Sequence, residues 1–438
     1  MSATIGQPVE YELMVLGAGP GGYSAALEAA RLGARVALIE RDEPGGTCLH
    51  RGCIPAKTMY EASRHCEPFH KATERRYRVI RELHGQLLKL LTHPKITLIR
   101  GQGFIETPSR VRVTTGDDVQ IIAAPRLVVA TGSVPIMPDG LPAVGRKMDS
   151  DGATFLEALP ARAVVLGGGY TGCEYAGILN TYGVPVVIVE LGEHLLMTED
   201  ADVVAELTAN FTARGIDVRT GTSLEEVELQ PTDLLLVTVG RVPESSGVGL
   251  EQLGVRFGRR NGLVVNERME TGVPGVYAIG DVLDAKWRFA HVAEAEAKVA
   301  VRNALGQDAR ADYRVVPSTI FTDPLVMSVG ARESDLSRED YVVGKAPFRY
   351  NSMANCSGDT RGFVKILVER GAPHRILGAA AVGQDIEIHQ MAMAMASGAT
   401  VHDVSEMIHF HPSRGEAVKQ AAEAAVRRLE AEARRAGR

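Results

Sequence analysis

The segment Glu12-Leu-Met-Val-Leu-Gly17-Ala-Gly-Pro-Gly-Gly22 decides the fold of this chain. Its apolar start predicts a buried strand, the glycines a tight turn, and the alanine-rich stretch that follows a helix. A second strand comes next and ends at Glu40. Glycines spaced like Gly17, Gly19 and Gly22 let backbone N–H groups approach a pyrophosphate, and an acid after the second strand accepts hydrogen bonds from a ribose. The segment therefore predicts a strand–helix–strand unit that binds a dinucleotide.

A second copy of the pattern starts at Ala163. One glycine pattern alone is weak support, because tight packing of a strand on a helix also selects glycine. Here both copies place an acid eighteen positions after the last glycine, so packing alone does not explain them. Strands that alternate with helices in this way predict doubly wound parallel sheets, and hence an α/β fold. The second copy provides these candidate nucleotide contacts: Gly167, Gly169, Tyr170, Thr171, Gly172 and Glu190.

Glu190 also indicates which nicotinamide nucleotide binds. A carboxylate at this position repels a 2′-phosphate, and residues 191–196 contain no arginine that could bind one. The sequence therefore favours NAD over NADP.

Composition excludes several classes of protein. Of the 438 residues, 45% are hydrophobic and 23% are charged, which is typical of a soluble globular protein. A net charge of −6 does not favour a nucleic-acid partner. No apolar run approaches the roughly 18 residues of a membrane span, and residues 1–8 do not resemble a signal peptide. We therefore expect a cytoplasmic protein without a membrane partner.

The remaining stretches complete the domain plan. Residues 73–91 carry apolar side chains at helical spacing, and the chain beyond Pro317 changes to a pattern typical of antiparallel strands followed by helices from about 385. The arginine-rich last fourteen residues predict a polar, frayed helix. The predicted domains are a first dinucleotide-binding domain at residues 1–150, a second one at 151–270, a central part that returns to the first domain at 271–312, and a C-terminal α+β domain at 313–438.

Residues 45–57 read Gly-Gly-Thr-Cys-Leu-His-Arg-Gly-Cys-Ile-Pro-Ala-Lys. The two cysteines, Cys48 and Cys53, lie five positions apart at a predicted helix start, where the helix dipole and Lys57 favour a reactive thiolate. Five cysteines in the whole chain do not make a secreted disulfide framework, and no second Cys/His pair follows at zinc-finger spacing. Taken alone, the pair could also be two buried thiols.

In its motifs and their order, nearly the whole chain resembles the pyridine nucleotide–disulfide oxidoreductases, and most of all the dihydrolipoamide dehydrogenases. Residues 45–57 resemble the redox-active segment of that family. The other matching segments are Ala130-Thr-Gly-Ser-Val-Pro135 and Val276-Tyr-Ala-Ile-Gly-Asp281 for FAD, Val239-Gly-Arg-Val-Pro243 at the exit of the NAD domain, and Phe321-Thr-Asp-Pro324 and His411-Pro-Ser-Arg-Gly-Glu416 in the interface domain.

The resemblance implies a role for each matching residue. Cys48 is expected to exchange with substrate, Cys53 to face the flavin, and Lys57 to pair with Glu174 near the reactive flavin nitrogen. His411, oriented by Glu416, is expected to act as acid–base on the cysteines of the other subunit of a homodimer. The resemblance also implies these cofactor contacts: Gly17, Gly19, Gly22, Glu40, Gly46, Thr47, Lys57, Gly103, Thr131, Gly132, Asp281 and Ala290 for FAD, with Gly240 and Arg241 added to those for NAD.

Chemistry independently supports a histidine–glutamate pair. Thiol–disulfide exchange needs a thiolate, so a base must take the proton of the substrate thiol near neutral pH. A carboxylate behind the imidazole fixes its tautomer and raises its basicity. The residues themselves do not choose between His411 and its neighbour His409.

Several departures from the family pattern concern the substrate. Residues 58–100 and 222–233 are shorter than in relatives, and 382–387 is short against the usual interface helix. In residues 411–416, Arg414 and Gly415 stand where dihydrolipoamide dehydrogenases typically have leucine and serine. These changes alter surfaces without removing a reactive group.

The expected reaction is oxidation of a lipoylated carrier protein or free dihydrolipoamide, with FAD and NAD as cofactors. A reductase of another small disulfide is the nearest alternative, and Glu190 argues against it because such enzymes usually take NADPH. A mercuric reductase is disfavoured by the lack of a terminal cysteine pair. A lipoyl-domain docking subunit or redox sensor would need neither the cysteines nor His411.

Overall fold

The computed structural model describes residues 11–384, 386 and 388–436. Asp385 and Glu387, within the short 382–387 segment, lie outside the described residues, as do residues 1–10 and 437–438. The chain forms two compact units. The first comprises residues up to Pro142, Met148–Ala158 and Val239–Asp312, and the second Ala143–Lys147, Leu159–Thr238 and the residues from Tyr313 onward.

The strands, in chain order, are β1 (Leu13–Leu16), β2 (Val36–Glu40), β3 (Ile96–Arg100), β4 (Gln102–Thr107), β5 (Arg110–Thr115), β6 (Asp118–Ala123), β7 (Leu127–Val129), β8 (Ser133–Pro135), β9 (Arg146–Asp149), β10 (Ala163–Leu166), β11 (Val186–Val189), β12 (Asp217–Arg219), β13 (Leu234–Val237), β14 (Arg241–Pro243), β15 (Val276–Ala278), β16 (Ser318–Ile320), β17 (Val326–Gly330), β18 (Tyr341–Pro347), β19 (Phe363–Glu369) and β20 (Ile376–Val382). The α-helices are α1 (Pro20–Arg31), α2 (Gly46–His50), α3 (Cys53–Arg64), α4 (Phe69–Leu91), α5 (Ser150–Ala153), α6 (Tyr170–Thr181), α7 (Ala201–Ala213), α8 (Ala290–Ala304), α9 (Ser352–Cys356), α10 (Ile388–Ser397), α11 (Val401–Glu406) and α12 (Glu416–Ala436).

The first unit is built on a parallel sheet of order β15–β7–β1–β2–β3. Its central strands are apolar and fully buried, as expected for a sheet covered on both faces. Helix α1 packs closely on α8, because a Cβ on Gly21 would already lie 3.3 Å from the Cβ of Ala293. An antiparallel meander, β4–β5–β6, belongs to the same unit.

The second unit contains two sheets. One has the order β12–β11–β10–β13 with β9 at its edge, and the pairs from β12 to β13 are parallel. The other is antiparallel, of order β16–β17–β20–β19–β18, with α12 packed against it. The predicted fold class, Rossmann-like α/β with a C-terminal α+β part, is confirmed.

Two helices can be compared in detail with the sequence-based expectation. Helix α4 begins at Phe69 rather than 73, directly after Pro68. Helix α12 remains regular to Ala436. Of the last fourteen residues of the chain, Ala425 and Leu429 are the buried ones among those that the structure describes, and residues 430–436 are polar or small and not buried, as expected. Among the described residues, no helix is long and apolar enough to cross a membrane.

Candidate functional site

The first glycine turn forms the expected nucleotide-binding geometry. Gly17 has a φ of +100°, and a Cβ on Gly22 would lie 1.8 Å from the carbonyl oxygen of Gly17, so both positions require glycine. Glu40 lies at the end of β2, and its Oε2 accepts a hydrogen bond of 2.6 Å from the backbone N–H of Ala18. The turn thus brings the N-terminus of α1 and a carboxylate together at one edge of the sheet.

The second glycine turn repeats this geometry in the second unit. Gly167 has a φ of +105°, and a Cβ on Gly172 would lie 1.9 Å from the Gly167 carbonyl oxygen. Glu190 Oε2 accepts a hydrogen bond of 2.6 Å from Gly168 N–H. Tyr170 and Thr171 are the first two residues of α6, at the positive end of the helix dipole.

Both helix starts leave room for a phosphate. A Cβ added to Gly169 would meet no atom within 4 Å, and one on Gly19 would come no nearer than 3.9 Å, to the Cα of Gly46. Free N–H groups and the positive end of the helix dipole at such a position favour an anion. The residues therefore fit the pyrophosphates of FAD at Gly19 and of NAD at Gly169.

The other residues predicted to contact FAD lie in the first unit. Asp281 accepts a hydrogen bond of 2.7 Å from the hydroxyl of Ser133, and the Thr131 hydroxyl donates to the Glu244 carbonyl at 2.6 Å. Gly103 is required by packing, since a Cβ there would lie 2.4 Å from Leu16 Cδ1. The remaining two are Gly132, with a φ of +81°, and Ala290, the first residue of α8.

Arg241, predicted to contact NAD together with Gly240, has intramolecular partners inside the first unit. Its guanidinium donates to Asp151 Oδ1 at 2.5 Å, to the Ser133 hydroxyl at 2.9 Å and to the Ser133 carbonyl at 2.8 Å. Because Ser133 in turn donates to Asp281, Arg241 supports the predicted FAD contact Asp281. Its contact with NAD stays a prediction.

The redox segment closes over the first glycine turn. Gly45 N–H donates to the Ala18 carbonyl at 2.8 Å, and a Cβ on Gly46 would lie 2.7 Å from the Cα of Gly19. Thr47 and Cys48 follow in the short helix α2, and Cys53 is the first residue of α3. The two cysteines are therefore held beside the predicted FAD turn.

Cys48 and Cys53 are in hydrogen-bond contact, and Cys53 is exposed, which argues against a pair of buried structural thiols. The hydrogen bond with Cys53 and then burial raise the pKa of Cys48, whereas the charge of Lys57 opposes the rise. In the reduced pair, Cys48 is thus the thiol that keeps its proton.

Tyr23 and Glu294 are residues that the sequence did not single out. The Tyr23 hydroxyl donates to Glu294 Oε1 at 3.3 Å, and the negative charge of Glu294 is a smaller contribution that raises the pKa of Cys48. Tyr23 stands beside a recognised glycine motif, but Glu294 comes from α8, far along the chain. A single sequence contains no local signal for that contact.

The structure distinguishes His411 from His409. Nδ1 of His411 lies 3.0 Å from Glu416 Oε1, and no described residue bonds its Nε2. Both ring nitrogens of His409 are occupied, one 3.2 Å from the Met407 carbonyl and the other 2.8 Å from the side-chain nitrogen of Gln390. Of the two, His411 is therefore the one with a nitrogen available to move a proton.

Glu416 is suited to orient His411. The Ser413 N–H, which donates to Glu416 Oε2 at 2.8 Å, and then His411 hold the pKa of the Glu416 carboxyl below its usual range. The ionised form of Glu416 is therefore favoured beside His411.

Three of the four residues that precede His411 in the chain are apolar and exposed. Met407, Ile408 and Phe410 are 41%, 93% and 79% exposed, and His411 itself is 67% exposed. Exposed apolar side chains grouped in this way are typical of a protein–protein interface.

Glu174 is buried in α6 of the second unit, and its Oε1 accepts a hydrogen bond of 3.1 Å from Phe321 N–H. Lys57 belongs to the first unit. The predicted pairing of Lys57 with Glu174 stays a prediction.

The described residues contain one group of carboxylates close enough to hold a metal ion: Asp200, Asp202 and Glu333. The ammonium group of Lys365 lies between them, at 2.7, 2.5 and 2.8 Å respectively. This group is therefore an internal ion cluster.

Comparison with known proteins agrees with this geometry. Residues 11–297 match the family described as pyridine nucleotide-disulphide oxidoreductase, and residues 316–422 match the dimerisation domain of that family. The dihydrolipoyl dehydrogenase of Geobacillus stearothermophilus is 33% identical, over 95% of this chain and 97% of its own length. That of Chlamydia pneumoniae is 34% identical, over 93% and 95%.

Solved structures also superpose on this chain over nearly its whole length. The HOCl-induced flavoprotein disulfide reductase RclA from Escherichia coli, in its Cu(II) complex, superposes with a TM-score of 0.88 at 28% identity, covering 95% of this chain and 99% of that chain. LpdA from Mycobacterium tuberculosis superposes with a TM-score of 0.85 at 28% identity, covering 94% and 98%.

Proposed function

The chain belongs to the pyridine nucleotide–disulphide oxidoreductase family, and within it we propose that this enzyme oxidises dihydrolipoyl groups and reduces NAD to NADH. The observation that carries the proposal is the simultaneous presence of the Cys48–Cys53 contact, the two glycine turns and the His411–Glu416 pair. The names of the full-length relatives support the dihydrolipoyl substrate.

The cysteines carry out the exchange. A substrate thiolate attacks Cys48 of the Cys48–Cys53 disulfide, the bond between the cysteines breaks, and Cys53 leaves as a thiolate. The second substrate thiol then attacks the substrate sulfur that is bound to Cys48, and its proton passes to the departing Cys48 sulfur. The oxidised lipoyl ring is released, and Cys48 is left as a thiol. FAD, when bound, supplies the two-electron transfer between this dithiol and NAD.

His411 handles the protons of this exchange. Its Nε2 accepts the proton of the attacking substrate thiol, and Glu416 at Nδ1 stabilises the resulting imidazolium. Since His411 lies on an exposed apolar surface of the part that matches the dimerisation domain, we assign it to the cysteines of a second subunit.

Glu190 sets the preference for NAD. Its carboxylate lies at the end of β11 beside the second turn, where it can accept hydrogen bonds from the ribose diol. A 2′-phosphate at the same place would face this negative charge.

The physiological substrate we propose is a lipoylated carrier protein, with free dihydrolipoamide as its small analogue. A cytoplasmic location is part of the proposal, because the chemistry needs a reducing compartment. The second candidate is a reductase of a different disulfide, which the likeness to RclA favours. The short segments at 58–100 and 222–233 are where its substrate surface would differ.

The deciding experiment measures NADH formation by purified holoenzyme with NAD and dihydrolipoamide, with Cys48→Ser protein as the control. Rapid turnover that needs both the dithiol and Cys48 supports the proposal. A protein that binds FAD and is reduced by NADH, but does not turn over dihydrolipoamide, would contradict it in favour of the second candidate.

A further inference from the structure

We propose that Asn351 and Arg414 are positioning residues that fix the turn carrying His411. The inference rests on the proposed function, in which His411 moves the proton of the substrate thiol. It gives a role to Arg414, one of the two positions where this chain departs from the leucine and serine of its relatives.

Asn351 binds the turn from the interior. Its side chain is fully buried, and Nδ2 donates to the carbonyl of Ser413 at 2.9 Å. Its Oδ1 accepts from Ala354 N–H at 3.0 Å, so the side chain is itself held as the N-cap of α9. Ser413, fixed at its carbonyl by Asn351, uses its N–H to bind Glu416.

Arg414 is the next residue of the turn, and its side chain anchors the turn to the segment that follows α9. Only 5% of it is exposed, and Nη2 donates to the Ser357 hydroxyl and to the Asp359 carbonyl, each at 2.8 Å. Its guanidinium lies 5.5 Å from the ring centroid of Phe348. The arginine therefore points into the protein and not onto the exposed surface around His411.

These contacts matter because His411 has little else to hold it. Its side chain is 67% exposed, and its one hydrogen bond among the described residues goes to Glu416. The direction of Nε2 therefore depends on the backbone between residues 411 and 416, which Asn351 and Arg414 anchor. A misplacement of about 1 Å in a reacting group can cost about a hundredfold in rate.

The test separates the two half-reactions of the holoenzyme by rapid mixing. We expect Arg414→Leu and Asn351→Ala to slow flavin reduction by dihydrolipoamide about ten- to a hundredfold, as expected for a displaced base. Flavin reduction by NADH, which does not use His411, should stay as in the unmodified enzyme. Arg427→Leu removes an arginine that is 67% exposed on α12 and serves as the matched control.

A double-mutant cycle distinguishes positioning from general loss of structure. In a His411→Gln background, Arg414→Leu should add no further loss, because a positioning residue acts through the histidine. Losses that multiply, or an equal slowing of both half-reactions, would overturn the proposal.

Two further results keep the test decisive. If Arg414→Leu does not fold, Ser357→Ala takes its place in the test, because it removes a single acceptor of the same arginine. This variant should slow flavin reduction by dihydrolipoamide by a smaller factor and leave flavin reduction by NADH unchanged. An unchanged rate with dihydrolipoamide would overturn the positioning role of Arg414. An unmodified enzyme that fails to react with dihydrolipoamide would refute the proposed function. If the unmodified enzyme is active and a well-folded Arg414→Leu variant is equally active, the positioning role is refuted and the proposed function stands.

Discussion

The two glycine turns share the same φ angles, glycine requirements and glutamate hydrogen bonds, yet they differ in what covers them. Each has a first glycine near a φ of +100°, a last glycine with no space for a Cβ, and a glutamate that accepts from the second residue of the turn at 2.6 Å. The redox segment closes over the first turn through Gly45 and Gly46, whereas the start of α6 is open at Gly169. The same motif can thus retain one nucleotide and exchange the other.

A glycine-to-alanine substitution in each turn should show the largest difference between the two turns in nucleotide binding. Gly22→Ala should abolish retention of FAD, because its Cβ would collide with the Gly17 carbonyl under a covered turn. Gly172→Ala should weaken NAD binding but leave FAD in place. Flavin content after gel filtration and the Kd for NAD measure the two effects. Equal flavin content in the two variants would contradict the comparison.

The two units also differ in how they bury a cation. In the second unit, Lys365 is 1% exposed among three carboxylates. Lys365→Met should lower the free energy of unfolding by about 3–5 kcal/mol at neutral pH, since it leaves the buried carboxylate of Asp200 without its cation. Denaturant unfolding measures this loss, and Lys419→Met, which removes a lysine outside the cluster, is the control.

The pH dependence of that loss has a definite sign. Burial disfavours ionisation of Asp202 and Glu333, but hydrogen bonds to Lys345, Lys365 and Tyr341 outweigh it and hold the pKa of both carboxyls below their usual range. The unmodified protein should therefore lose stability as pH falls through the carboxylate range. The stability lost in Lys365→Met should shrink as pH falls, because protonation of the cluster's carboxyls relieves the charge that Lys365 otherwise balances. Parallel pH profiles would contradict the assignment of the cluster.

Replacing the acid of the open turn should change specificity rather than stability. Glu190→Ala should weaken NAD binding by about 1.5–3 kcal/mol, the size of a hydrogen bond to a charged group. Adding an arginine at Leu191 should then shift preference toward NADP. KM ratios for the two nucleotides measure the change. An unchanged ratio would mean that Glu190 does not face the ribose.

The first unit buries a cation, Arg76, that has no carboxylate partner among the described residues. Arg76 is 1% exposed, donates to the Leu156 carbonyl at 3.2 Å, and has no bond from Nε or Nη2 to any described residue. Because a buried donor without a partner costs about 1–3 kcal/mol, Arg76→Met should raise stability by roughly 1 kcal/mol. Thermal unfolding with Arg78→Met, at an exposed site, as control would test this. A destabilised Arg76→Met would show that the ring of Tyr77, 4.7 Å away, compensates the charge.

The fold could be predicted from sequence largely because its key constraints are local. Gly17, Gly22 and Glu40 lie within one strand–helix–strand unit, and their spacing by itself dictates the turn. The apolar runs of β10 and β11 are likewise recognisable in the sequence, since buried strands contrast sharply with their flanking residues.

The parts of the site that sequence did not predict depend on contacts between distant segments. Glu294 reaches Tyr23 from α8, Arg241 reaches Asp151, and Gln390 occupies a nitrogen of His409. Each of these contacts exists only once the sheets have brought the segments together. The role of Arg414 was equally hidden, because its partners Ser357 and Asp359 belong to no recognised motif.

The exposed position of His411 has a genetic consequence. If each site combines the cysteines of one chain with the histidine of another, a Cys48→Ser chain and a His411→Gln chain complement each other, although a dimer of either chain alone is inactive. A mixed dimer regains one intact site of its two, and random pairing of equal amounts restores about a quarter of full activity. Two null alleles could thus support growth together where neither does alone.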